Sequence, residues 1–109
     1  MEEIDPQKAV DYLIQAAPRY AKAKAERVYL EEFRKSKKAI LYQESSGKTV
    51  GDKEAYAYSH ADYVALLEGL KVAVEAEEHL RYKMKAAELQ VEIWRSKNAN
   101  NRGIDRAVR

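Results

Sequence analysis

YVALLEGLKVAVEAEEHLRYKMKAAELQVEIW, residues 63–94, decides the fold. Counted in heptads from Tyr63, the a positions are Tyr63, Leu70, Glu77, Met84, Val91 and Asn98. The d positions are Leu66, Ala73, Leu80, Ala87, Trp94 and Asn101. Nine of the ten seam positions through Trp94 are apolar, and Glu77 is the single break. That 3-4 spacing keeps one stripe facing a partner helix over many turns. At about 1.5 Å per residue, a helix over roughly 60–100 spans about 60 Å. A compact domain of this size has a radius of gyration near 13 Å. The helix therefore projects, pairs with a second long helix, or does both.

Outward toward the N-terminus, Ser45-Ser46-Gly47-Lys48-Thr49-Val50-Gly51 is the clear loop, punctuated by both glycines. Two capping boxes follow it. Thr49-x-x-Asp52 starts a short helix through Tyr58, and Ser59-x-x-Asp62 starts the long one. Before the loop, Ala23, Glu26, Leu30, Phe33, Lys37 and Ile40 form a weaker 3-4 stripe, supported by Val28 and Leu41. Asp5-Pro6 is a further helix start, with a capping carboxylate followed by proline at the first helical position. Val10, Leu13, Ile14 and Ala17 give this segment its apolar face, and Pro18 either kinks one continuous helix or starts a second. The expected organisation is a single domain, 1–109. It has a short helix over 5–17, a long helix over 19–43, a loop at 44–51 and a short helix over 52–58. A long helix over 59–101 ends near Gly103, and the tail 102–109 frays.

Composition agrees with this reading. The chain is 46% hydrophobic and 35% charged, with four Gly and two Pro, the balance of a long-helix or coiled-coil protein. Without cysteine there is no disulfide framework and no thiolate zinc site. No apolar run approaches a membrane span, and the acidic start (Glu2, Glu3, Asp5) lacks a signal peptide's basic flank. The expected location is the cytoplasm.

The net charge of +2 conceals a segregation. Residues 19–38 carry eight basic against three acidic side chains, and 44–79 carry three against eight. Residues 95–109 carry five against one, with Arg95, Lys97, Arg102, Arg106 and Arg109. An antiparallel αα-hairpin folds 19–38 back beside roughly 80–100. The two basic segments then converge at the end far from the loop. Lys22, Lys24, Arg27, Arg34, Lys35, Lys37 and Lys38 meet Arg95, Lys97 and Arg102 there. Tyr29 and Trp94 stand among these bases, a pattern suited to phosphate neutralisation beside stacking platforms. The alternatives are a solvated basic face over core aromatics, and cations placed at a helix C-terminus.

Other candidate chemistry is thin. Gly47-Lys48-Thr49 has the ending of a phosphate-binding loop, but Tyr42 stands where the first glycine belongs and a helix precedes it. Glu75 and His79 share a helix face at i, i+4, without a second cluster to complete a metal site. His60 lies beside Asp62 at a helix start. Glu77 in the seam fixes register or orientation by meeting a basic residue such as Lys37. The expectation is a non-enzyme that uses no cofactor, metal or small-molecule substrate.

Ala21-Lys22-Ala23-Lys24-Ala25-Glu26-Arg27-Val28-Tyr29-Leu30-Glu31-Glu32-Phe33-Arg34-Lys35-Ser36-Lys37-Lys38 resembles the first helix of a group of small, helical bacteriophage and prophage proteins. So does Glu92-Ile93-Trp94-Arg95-Ser96-Lys97-Asn98-Ala99-Asn100-Asn101-Arg102. The group belongs to regions handling DNA recombination and replication, and the resemblance implies an accessory of DNA metabolism in the host cytoplasm. It carries over no catalytic residue.

The expected fold is therefore all-α, a long antiparallel helical hairpin with a short N-terminal helix, self-associating into a homo-oligomeric bundle. Leu66, Leu70, Glu77, Leu80, Met84, Val91 and Trp94 set register and oligomer contacts. A dimer would cover Tyr63, Leu67, Val74 and Trp94. Three functions fit. The first is a DNA-binding accessory, or a binder of a recombination protein, acting through the basic end. The second is an inhibitor of a host nuclease or defence complex. The third is a structural coiled-coil protein.

Overall fold

A computed structural model describes residues 3–108. They form three helices and no strand: α1 (Pro6–Glu44), α2 (Val50–Ser59) and α3 (Ala61–Val108). The fold is all-α, a helical hairpin with α2 in the connection. Its described residues divide into two compact units. One is Ala21–Glu78, and the other joins the segments up to Tyr20 and from His79 onward. Both long helices contribute to both units.

The seam of α3 is the one written in its sequence. Every a and d position from Tyr63 to Asn98 is buried or half-buried, and Asn101 is exposed. On α1 the expected stripe holds at Ala23, Leu30 and Lys37, but Arg27, Arg34 and Leu41 take the alternate positions in place of Glu26, Phe33 and Ile40. Ala9, Leu13, Ala16, Tyr20, Ala23, Arg27, Leu30, Arg34, Lys37 and Leu41 are buried or half-buried, again at 3-4 spacing. Val10, Ile14, Ala17, Glu26, Phe33 and Ile40 are exposed. Alanines allow close helix approach, and Arg27 supplies a charge that Glu77 requires. Size and charge matching outweigh the hydrophobicity of α1's larger side chains.

The same seam explains why Pro18 neither starts a helix nor divides the expected 5–17 and 19–43 segments. The 3-4 stripe passes residue 18 without a change of phase, and Pro18 lies on the exposed face within one 39-residue helix. Its missing N–H leaves the carbonyl of Ile14 on that same exposed side, where water can satisfy it. Asp5 caps the helix as expected: its Oδ1 accepts from Gln7 N at 3.0 Å and Lys8 N at 3.3 Å.

Around the loop, Thr49 Oγ1 accepts from Asp52 N at 3.0 Å, so the first capping box forms and α2 starts at Val50. The second differs from expectation. Ser59 Oγ donates back to the Ala55 carbonyl, and His60 takes the cap position of α3, its Nδ1 accepting from Asp62 N at 3.0 Å. The long helix thus begins at Ala61 rather than 59. At the other end it runs to Val108, past the expected end near 101. Gly103 has no positive φ and stays helical, while Arg102 Nε donates to the Asn98 carbonyl at 3.4 Å. Gly and Asn weaken a helix by about 1 kcal/mol or less per residue without terminating it.

In the Ala21–Glu78 unit, Leu41, Ala57 and Tyr63 form the buried cluster, one residue from each helix. Tyr63 is therefore covered within the chain itself and needs no second copy. In the other unit the buried apolar side chains are Ala9, Ala16 and Ala87.

Candidate interaction surfaces

Contacts across the hairpin fix which charges meet. Arg27 Nε donates to Glu77 Oε2 at 2.6 Å and Nη2 donates to Oε1 at 3.0 Å, a two-point fork between residues fifty apart in sequence. Arg27 Nη1 also reaches Glu31 Oε2 at 3.0 Å. These carboxylates, Glu77 foremost, hold the guanidinium further above its ordinary pKa. Glu77 is buried, so an unmatched neighbour would leave a desolvated carboxylate, and this disfavours any slipped register. Glu77 thus meets a basic residue as its seam position requires, but the partner is Arg27. Lys37 instead lies 3.6 Å from Asp62.

This pairing corrects the expected geometry of the basic segments. Residues 27–38 of α1 lie beside 58–77, not beside 80–100. The partners of 83–90 are the first turns of α1, around Lys8, Ala9 and Tyr12. Loop length and seam phase set this register, with 27 opposite 77 and Leu41 near Tyr63. Between residues 21 and 44, α1 carries seven basic and four acidic side chains. Between 61 and 78, α3 carries one basic and five acidic. Much of the basic charge of α1 is matched within the fold.

The cations of the two expected basic segments consequently belong to different units. Lys22, Lys24 and Lys35 are exposed, and Arg34, Lys37 and Lys38 are half-buried. Lys35 lies 3.4 Å from Glu32. Arg95, Lys97 and Arg102 are exposed on α3, Arg95 beside Glu92 at 3.3 Å. All side chains from Ala99 to Ala107 face solvent. Arg109 lies outside the described residues, as does Glu2 of the acidic start.

One group of cations does converge. Arg34, Lys35 and Lys38 line an open groove of about 360 Å³ together with Tyr58 and Tyr63. The cations are placed by α1, Tyr58 by α2 and Tyr63 by the first turn of α3. The Lys38 ammonium sits 4.4 Å above the Tyr58 ring, and the Tyr58 ring meets Tyr63 edge-on at 5.5 Å. Tyr58 also holds the Lys38 amine above its ordinary pKa, so it stays charged. A second groove continues past Lys35 and Lys38 to Tyr42, Gln43 and Glu54. Three positive charges beside a half-exposed phenol ring can bind an anionic oxygen and carry a flat ring against it. Alternation of bases and tyrosines along α1 hinted at this surface. Tyr58 was not singled out, because only the placement of α2 brings it to Lys38.

The expected stacking residues are placed differently from each other. Tyr29 is exposed and stacks on Phe33 with centroids 5.8 Å apart and planes 8° from parallel. Trp94 is half-buried in the α3 seam with Leu66, Leu70, Leu80, Met84 and Val91, where at most part of its ring is accessible. Glu75 and His79 are exposed, and among the described residues no group of three or more His, Cys, Asp or Glu could hold a metal. No described helix is long and apolar enough to cross a membrane.

No family model matches the chain, and neither a curated protein nor a solved structure is significantly similar to it.

Proposed function

We propose that this chain is a non-enzymatic accessory protein of DNA metabolism that binds nucleic acid through the Arg34–Lys35–Lys38 groove. The observation that carries the reading is the convergence of those three cations with Tyr58 and Tyr63 on one open surface. Phosphate oxygens are the natural ligands for clustered Arg and Lys, and Tyr58 offers a π-face to an unstacked base. A single-stranded segment satisfies both demands, since its bases are free to turn onto an aromatic ring. Arg95, Lys97 and Arg102 are further exposed cations on α3 and add sequence-independent attraction. The resemblance of residues 21–38 and 92–102 to phage-encoded helical proteins is consistent with a role in phage recombination or replication.

Fluorescence anisotropy with labelled single- and double-stranded DNA tests the reading. Single strands should bind more tightly, and Arg34→Glu/Lys35→Glu should weaken binding more than Arg95→Glu/Lys97→Glu. Tyr58→Ala should reduce the preference for single strands. Equal loss from both charge reversals would make the groove merely part of a diffuse positive surface. An absence of binding at low salt would overturn the proposal and turn attention to an acidic protein partner.

A further inference from the structure

Past Trp94 the sequence of α3 changes character. Residues 95–109 carry five basic side chains against one acidic, with asparagine at 98, 100 and 101. Every side chain from Ala99 to Ala107 is exposed, yet the backbone stays helical to Val108. Successive residues of an α-helix turn by about 100°, so Arg95, Arg102 and Arg106 share one stripe within about 40° of one another. Ala99 lies beside that stripe and Asn98 borders it. Glu92 and Asp105 flank it on opposite sides, Glu92 at 3.3 Å from Arg95. One heptad before Arg95, Glu88 occupies the same side, so the basic stripe begins at Arg95. The helix dipole accounts for Arg106 in the last turn but not for Arg95 or Arg102.

What this stretch can bind is limited by what it lacks. A protein interface buries an apolar centre, and a helix lying on a membrane needs an apolar face. The stripe offers only the Ala99 methyl. Single strands are held by stacking on aromatic rings, and no aromatic residue follows Trp94. A DNA duplex asks for neither. Its major groove, about 12 Å wide, admits one helix of about 10–12 Å diameter. Arginine forks and asparagine amides match its phosphates and base edges.

We infer that the end of α3, from Arg95 onward, is a docking helix for duplex DNA that lies in the major groove, with Arg95, Arg102 and Arg106 toward phosphates and base edges. The Arg102 guanidinium, which folds back on the Asn98 carbonyl at 3.4 Å, exchanges that exposed contact for the ligand. Gly103 fits the same role. Glycine and asparagine weaken a helix, and a Cβ built at Gly103 meets nothing within 4 Å. Contact with the duplex then holds a stretch that no packing holds. This site shares no residue with the single-strand groove, so either can fail without the other.

Fluorescence anisotropy of the full chain with a labelled DNA duplex, the RNA duplex of the same sequence and one DNA strand tests it. The DNA duplex should bind at least about tenfold more tightly than the RNA duplex, whose major groove is too deep and narrow for a helix although its phosphates are equally charged. Arg102→Glu/Arg106→Glu should weaken the DNA duplex complex at least about tenfold and the single-strand complex less than about threefold. Arg34→Glu/Lys35→Glu should do the reverse. Gly103→Ala should tighten duplex binding by up to about fivefold through a firmer helix. Circular dichroism controls for folding, and both reversed arginines are exposed. RNA and DNA duplexes bound equally would overturn the inference, as would a charge reversal that weakens single strands and duplexes alike. Single-strand binding without duplex binding would overturn it and leave the groove reading intact. Duplex binding without single-strand binding would do the opposite.

Discussion

The Ala21–Glu78 unit and the unit formed by residues up to Tyr20 and from His79 solve the same packing problem with different materials. In the first, α2 closes against both long helices, Leu41 and Tyr63 are buried, and the Arg27–Glu77 fork fixes register. The second buries alanines, and it contains an exposed stretch of α3 from Ala99 to Ala107. Alanine permits close helix contact but removes little apolar surface from water. A heptad pattern can thus continue at constant phase while the stabilisation per turn falls. The better-packed unit is also the one with a shaped cationic groove, because the third helix that adds core adds Tyr58 and Tyr63 to the groove wall.

The largest blow to this contrast should come from Leu41→Ala. Leu41 is 1% exposed, and its truncation should destabilise by about 2–5 kcal/mol in urea unfolding. A loss below about 1 kcal/mol would mean that the buried cluster does not anchor its unit.

Pro18→Ala should sharpen the contrast from the other side. Restoring an N–H in the interior of α1 should stabilise by up to about 3 kcal/mol, read as a higher Tm and as slower amide exchange around Ile14. A destabilised variant would show that the proline ring makes a contact its exposed position does not suggest.

Lys38 gives the smallest expected effect. Its pKa is raised in the folded chain above the ordinary 10.5. A base raised on folding contributes stability below its unfolded value and loses it as pH climbs through the folded one. Stability should therefore decline above about pH 10.5, and Lys38→Met should show a flatter alkaline limb in pH-dependent unfolding. Solvent screening at this surface keeps the difference small. An identical alkaline limb in both proteins would remove Lys38 from the account.

The sequence was most legible on α3. One apolar stripe dominates there, so Tyr63 to Asn98 could be assigned to the seam residue by residue. Glu77 was legible as an anomaly in that stripe. Its partner was not, because alternate positions of the α1 stripe have two candidates one residue apart. Hydrophobicity favours the row containing Phe33 and Ile40, whereas the fold uses the row containing Arg27, Arg34 and Leu41. Only a buried carboxylate on the facing helix distinguishes them, and that requires knowing the register. Pro18 was ambiguous for the same reason, since continuity of the helix rests on the Ala16–Tyr20 seam passing it in phase. The groove could not be found by periodicity: α2 is only ten residues long, and its docking against Leu41 places Tyr58 over Lys38.

The salt dependence of single-stranded DNA affinity tests the central functional claim most directly. The counterions displaced by Arg34, Lys35 and Lys38 should contribute about −2 to the slope of log K against log salt. Arg34→Glu/Lys35→Glu should abolish most of that contribution while the helical signal is retained. Wild-type affinity that is flat with salt, or a slope unchanged by the charge reversal, would contradict the assignment of this groove to nucleic acid.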